Sequence, residues 1–134
     1  RLRVTLLLQQ AARASTSRAV MAPVGGPKPL AVRFNLSCET GLGDRVFVVG
    51  SHADFGAWDP SKSKTELHTT GNSYPVWSAE WKCHYVGEAV THNYKFVVRS
   101  TGGELRWEDT RGNRTLEVGS PGSCEVLAEF DCAN

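Results

Sequence analysis

The chain has 134 residues, enough for one domain with a modest core. Its composition, 40% hydrophobic and 22% charged, is that of an ordinary soluble globular protein, and a net charge of +1 supplies no global field for nucleic acid or a membrane surface. The charge is unevenly placed: residues 1–33 hold six basic residues and no acid, while residues 34–134 hold nine basic residues and all 14 acids, a net of −5 that disfavours binding through phosphate backbones.

The head, residues 1–30, is rich in Arg, Ala, Ser and Thr. It reads as an organelle transit peptide or as a disordered extension. Its apolar run, Val4–Leu8, is shorter than the ~7–15 residues of a secretory signal core and far short of the ~20 of a membrane span. The first residue is Arg1, so the expectation is a piece of a longer product or a start at Met21. Pro23, Gly25, Gly26, Pro27 and Pro29 mark a linker into the body, residues 31–134.

From Val32 the pattern has period two, the signature of half-buried strands. Val32, Phe34, Leu36 and Cys38 alternate with Arg33, Asn35 and Ser37. Arg45 to Val49 is β-branched and aromatic. Trp77, Ala79, Trp81, Cys83 and Tyr85 then alternate with polar residues, as do Tyr94, Phe96 and Val98. Leu116 and Val118 form a short run, and Cys124, Val126, Ala128 and Phe130 alternate again. Turn residues stand between these runs, at Gly41–Asp44, Asp59–Ser61, Thr70–Asn72, Thr101–Gly103, Arg111–Asn113 and Gly119–Gly122. The pattern predicts an all-β fold, an antiparallel β-sandwich of immunoglobulin-like type with about seven to eight short strands. Cys38, Cys83 and Cys124 fall on apolar positions and lack CxxC spacing, so they read as reduced, mostly buried thiols.

Catalytic constellations are missing. Glu108 and Asp109 are adjacent, and neighbours on an extended segment point to opposite faces, so they cannot flank one glycosidic bond. Gly50-Ser51-His52 is not a nucleophile elbow, and no phosphate loop or dinucleotide fingerprint occurs. His52, His68, His84 and His92 have no metal-ligand spacing and read as surface or structural residues. The reading is a binding module, not an enzyme, with no cofactor and no metal.

Four tryptophans are many for such a body. Trp81 sits mid-strand and fits a core. Trp58 stands beside the turn residues Asp59-Pro60, and Trp107 lies between Arg106 and Glu108, so both read as loop-borne. Flat rings rimmed by polar groups suit sugars, whose C–H faces stack and whose edge hydroxyls hydrogen-bond.

Residues 31–131 resemble the starch-binding domain, the family 20 carbohydrate-binding module. The resemblance is carried by VFVVGSHADFGAWDP (46–60), YPVWSAEW (74–81), YKFVV (94–98), RWED (106–109) and GNR (112–114), in order and spacing. It implies non-catalytic binding of starch and amylose-like α-1,4-glucans, with cyclodextrin as a probe ligand, by a monomeric module that targets an attached or partner enzyme. In that family pattern Trp58 and Trp107 match the stacking tryptophans, Lys95 the lysine that grips hydroxyls, Glu108 the following acid and Asn113 the hydrogen-bonding amide. A second sugar site would use Trp77, with Tyr74 as a substitute. Leu42 stands where some members carry a stacking tyrosine, so this second site is expected to be weak or absent. The alternatives are a fragment of a starch-active enzyme (glucanotransferase, amylase or phosphoglucan dikinase) and a protein-interaction sandwich that has lost the sugar. A basic head on a glucan binder points to a plastid, with a secreted or cytosolic protein as the alternative. Asn35-Leu36-Ser37 and Asn113-Arg114-Thr115 are glycosylation sequons, and a glycan on Asn113 would fill the expected sugar site.

Overall fold

The computed structural model describes residues 28–109 and 112–131. Among these, the alternating runs become eight strands: β1 (Lys28–Ser37), β2 (Arg45–Gly50), β3 (Glu66–Leu67), β4 (Val76–Tyr85), β5 (Val90–Arg99), β6 (Leu105–Trp107), β7 (Arg114–Val118) and β8 (Gly122–Glu129). Two single-turn 3-10 segments, Gly56–Trp58 and Pro60–Lys62, interrupt the long connection between β2 and β3. β3 and β6 have two and three residues, too few for alternation to announce them.

The strands form two sheets. One has the order β4-β1-β8; the other runs β3-β2-β5-β6, with β7 also paired to β5. All pairings are antiparallel except β1 with β8, which is parallel from Leu30↔Gly122 to Ser37↔Glu129. The sandwich expected from the sequence is therefore present, with one parallel ladder joining its first and last strands.

The core lies between the sheets. β1 contributes Leu30, Val32, Phe34 and Leu36, β2 contributes Val46 and Val48, and β5 contributes Tyr94, Phe96 and Val98, all buried. Phe34 sits at the centre in edge contact with Phe55, Tyr94 and Phe96, at ring-centroid distances of 6.1, 5.5 and 6.2 Å. Trp81 is buried as expected, and its indole Nε1 donates to Asp54 Oδ2 at 2.9 Å.

The cysteines follow the expectation only in part. Cys38 is buried, Cys83 is half-buried, and Cys124 is exposed, because β8 is the edge of the smaller sheet and its first half meets the rim instead of the core. All three are free thiols, and burial pushes each above its ordinary pKa, Cys38 to about 11. Cys132 lies outside the described residues, as do the basic head up to residue 27 and residues 110–111.

Candidate functional site

The larger sheet turns one face to the core and the other outward. On the outward face Phe47, Val49 and Val97 form a small apolar cluster, and Trp107 packs against it. Cross-strand register explains this: Val97 of β5 is opposite both Phe47 of β2 and Trp107 of β6, and opposed residues share a face. Trp107 is thus the last residue of a strand and not a loop residue, with one side of its indole on the cluster and the rest accessible. Lys95 is opposite Val49, so it stands on the same face one step along.

Beyond Trp107 the chain leaves the ladder and rejoins β5 at Arg114, opposite Tyr94. The detour is tied down by Glu108. Its side chain is fully buried. Oε1 accepts from Arg114 Nε at 2.9 Å and from the Phe96 amide at 3.0 Å; Oε2 accepts from Arg114 Nη2 and the Asp131 amide, each at 2.7 Å. Arg114 also donates to the Glu129 carbonyl at 2.8 Å and lies over the Phe96 ring. The pair is bidentate and its remaining lone pairs are satisfied, the condition under which a buried pair is tolerated. The outer surface of the same residue is used as well, since the Glu108 carbonyl accepts from Lys95 Nζ at 2.8 Å. Glu108 therefore corrects the sequence expectation: its carboxylate points inward and braces the detour, and cannot grip a sugar hydroxyl. Arg114 joins it as a brace. Asn113 precedes Arg114 and is exposed, so alternation gives it to the outward face near Lys95.

Trp58 stands on the connection that follows β2, on the other side of β5 from Trp107. β2 ends at Gly50, whose amide donates to the Phe55 carbonyl at 3.0 Å. Phe55 is fully buried and anchors the turn, and the His52 carbonyl accepts the Phe55 and Ala57 amides at 2.9 and 3.2 Å. Gly56, Ala57 and Trp58 then all have positive φ, 81°, 51° and 72°. For the two non-glycine residues this conformation costs roughly 1–2 kcal/mol each. The turn stops at Asp59, whose carboxylate accepts the Ser61 amide at 3.0 Å and the Ser61 hydroxyl at 2.7 Å; those bonds hold the carboxyl below its usual range. At its tip Trp58 is 37% exposed.

Lys95 on β5 thus lies between β2, which launches the Trp58 turn, and the β6–β7 edge, which carries Trp107 and Asn113. Neighbouring strands lie about 4.8 Å apart, so the two flanks are separated by roughly 10 Å at sheet level. A cavity of ≈ 530 Å³ opens beyond Trp107, with Asp44, Glu104, Arg106 and Asp109 in its lining. Among the described residues no group of three or more His, Cys, Asp or Glu could hold a metal ion, and no helix is long and apolar enough to cross a membrane.

Of the residues named for a second site, Trp77 is buried and the Tyr74 hydroxyl is engaged with a loop. Trp77 is 8% exposed and its Nε1 donates to the Cys38 carbonyl at 3.1 Å. It is a core residue, because Leu36↔Trp77 pairing places it on the inward face of β4. The Tyr74 ring is 43% exposed, but its hydroxyl accepts the Thr40 amide at 2.9 Å and donates to the Thr40 carbonyl at 3.2 Å, pinning the Glu39–Asp44 loop. Leu42, at the tip of that loop, is wholly exposed.

A family model described as starch binding domain matches residues 29–127. Glucoamylase-1 of Arthroderma benhamiae is 34% identical over 105 residues, which is 78% of this chain and 16% of the glucoamylase. The chain therefore spans less than a fifth of that relative. Among solved structures, a family 15 glucoamylase from Hypocrea jecorina superposes with a TM-score of 0.68 at 21% identity, over 81% of this chain and 18% of the other. The family 20 module of the maltotetraose-forming amylase from Pseudomonas saccharophila superposes with a TM-score of 0.54 at 23% identity, covering 75% of this chain and 99% of the other.

Proposed function

The chain belongs to the starch-binding domain family, the family 20 carbohydrate-binding modules, and from that premise we propose that its outward face holds an α-1,4-glucan between Trp58 and Trp107 without cleaving it. The observation that carries this reading is Trp58. A large apolar side chain is held partly exposed at the tip of a turn with three successive positive φ values, and backbone cost of this kind concentrates at functional sites. Each indole offers a flat face to a sugar ring, and Lys95 and Asn113 take hydroxyls at its edge. Arg114 and the Glu108 carboxylate position that set from inside. The polar component at Glu108 is its carbonyl, shared with the Lys95 ammonium. We further propose that the module is monomeric, has this one sugar site, and delivers an attached or partner enzyme to glucan. The basic, acid-free composition of residues 1–30 supports a plastid destination, which fusion of that segment to a fluorescent reporter would test.

The decisive experiment is a pull-down on washed starch granules, with and without soluble β-cyclodextrin. The wild-type chain is compared with the Trp58→Ala/Trp107→Ala double variant. Binding that both the competitor and the double substitution abolish is the expected result. A folded wild-type chain that stays in the supernatant while the granules sediment would refute the reading and put a protein partner in first place.

A further inference from the structure

On β5 the outward face carries Lys95, Val97 and Arg99 in succession, and Trp107 is opposite the middle one. Lys95 lies towards Trp58. Arg99 lies on the other side of Trp107, and nothing in the sugar site described above uses it. Its cross-strand partner on β2 is Arg45. Like charges directly opposed across a ladder are unfavourable, and here only one is neutralised: Glu66 takes Arg45 through two bonds of 2.8 Å. These bonds hold the Glu66 carboxyl below its usual range, with a smaller lowering from His68 and Arg99. Arg99 forms no ion pair and no side-chain hydrogen bond among the described residues. Its guanidinium lies 4.8 Å from the centroid of the Phe47 ring, and that of Arg45 lies 5.4 Å from the same centroid.

The Phe47 ring holds the Arg99 guanidinium on the face that carries Trp107, and diagonal neighbours on such a face are about 7–8 Å apart. Asp44, Glu104 and Asp109 line the cavity beside Trp107, and none of them forms an ion pair with Arg99 among the described residues. Asp44 Oδ2 accepts the Gly41 amide at 2.8 Å. The patch of Arg45, Glu66 and Arg99 keeps one positive charge in excess. A planar guanidinium with its donors still available matches the oxygens of a phosphate.

We propose that Arg99, steadied by Phe47, forms an extension of the sugar face that takes a phosphate monoester carried by the glucan, on the side of Trp107 away from Lys95. The inference rests on the glucan-binding reading and narrows its substrate class.

The test is calorimetry on the full chain with two soluble linear α-glucans of equal length, one bearing phosphate monoesters and the other treated with phosphatase. The phosphorylated glucan is expected to bind about tenfold tighter, the size of one charge-assisted hydrogen bond, and the margin should shrink as salt is raised. Arg99→Gln should erase the margin, and Arg99→Lys should keep part of it. Equal affinity of the wild type for the two glucans, or a preference that survives Arg99→Gln, would overturn the extension and leave glucan binding intact. Inorganic phosphate competing as strongly as the ester, mole for mole, would assign the patch to a free anion and overturn it too. Failure of both glucans to bind would overturn the glucan reading and this inference together.

Discussion

The Glu108 carboxylate and the Arg114 guanidinium are buried braces beneath the proposed sugar face. Glu108→Gln removes the charge that compensates a side chain only 4% exposed, and breaking one partner of a buried pair costs about 3–5 kcal/mol. Urea unfolding should show that loss, and the companion Glu108→Gln/Arg114→Met variant should recover part of it. Trp107→Ala is expected to act the other way round: about 2 kcal/mol or more of glucan binding lost, and less stability lost than in Trp81→Ala, where a buried indole is removed at about 3–5 kcal/mol. A Trp107 variant as unstable as the Trp81 variant in the same denaturation series would undo the division into platform and core. His92 supplies a third test. Burial first, and then the His52 ring 5.2 Å away, lower its pKa. A histidine depressed in the folded state binds its proton more readily when unfolded, so it weakens the fold as pH falls below the ordinary value near ~6.5. Melting temperature should drop between neutral and mildly acidic pH, and His92→Gln should flatten that slope. The sequence places Trp107 in a loop and Glu108 on the sugar, so the inward carboxylate becomes legible only once Trp107 is seen to end a strand. Alternation separates Glu108 from Asp109, and the same alternation, begun at an outward Trp107, turns Glu108 to the core, where Arg114 is the available cation.

The Gly56–Trp58 turn is where backbone and function meet. A Cβ on Gly56 would stand 2.8 Å from the Ser63 amide nitrogen, at a φ of +81°. Gly56→Ala should therefore disrupt the turn and weaken both stability and granule binding. Ala57→Gly removes a left-handed cost of roughly 1–2 kcal/mol against about 0.5–1 kcal/mol of added chain entropy. A small net gain in stability, about 0.5 kcal/mol, is expected in urea unfolding. Glucan affinity should fall at the same time, because Trp58 is held less firmly. The turn residues Asp59 and Pro60 announce a break in the chain, but no residue-type signal announces positive φ at Ala57 and Trp58. That conformation is imposed from outside, by buried Phe55, by the His52 carbonyl and by the Phe55↔Ser63 bridge. β6 was unreadable for a related reason: its three residues are held as a strand by pairing with Val97, Val98 and Arg99.

At the scale of the molecule, the period-two runs carried most of the information, because each buried face is a local pattern repeated along one strand. Sheet order and the partners of each strand depend on contacts between distant segments, and the sequence leaves those open. Thus Trp77 has the same apolar parity as Trp81, and both turn out to be core, although a stacking role for Trp77 came with the family pattern. Cys124 has that parity as well and is exposed, since parity fixes a side and not how far the opposite sheet extends. The parallel ladder between β1 and β8 has a mechanical consequence. The described chain enters at Lys28 and leaves past Glu129, and these positions lie at opposite ends of the paired strands. Tension between them would load the eight paired positions in shear, all together, instead of peeling them apart one at a time. A module with its first and last strands joined this way resists being pulled open from its ends.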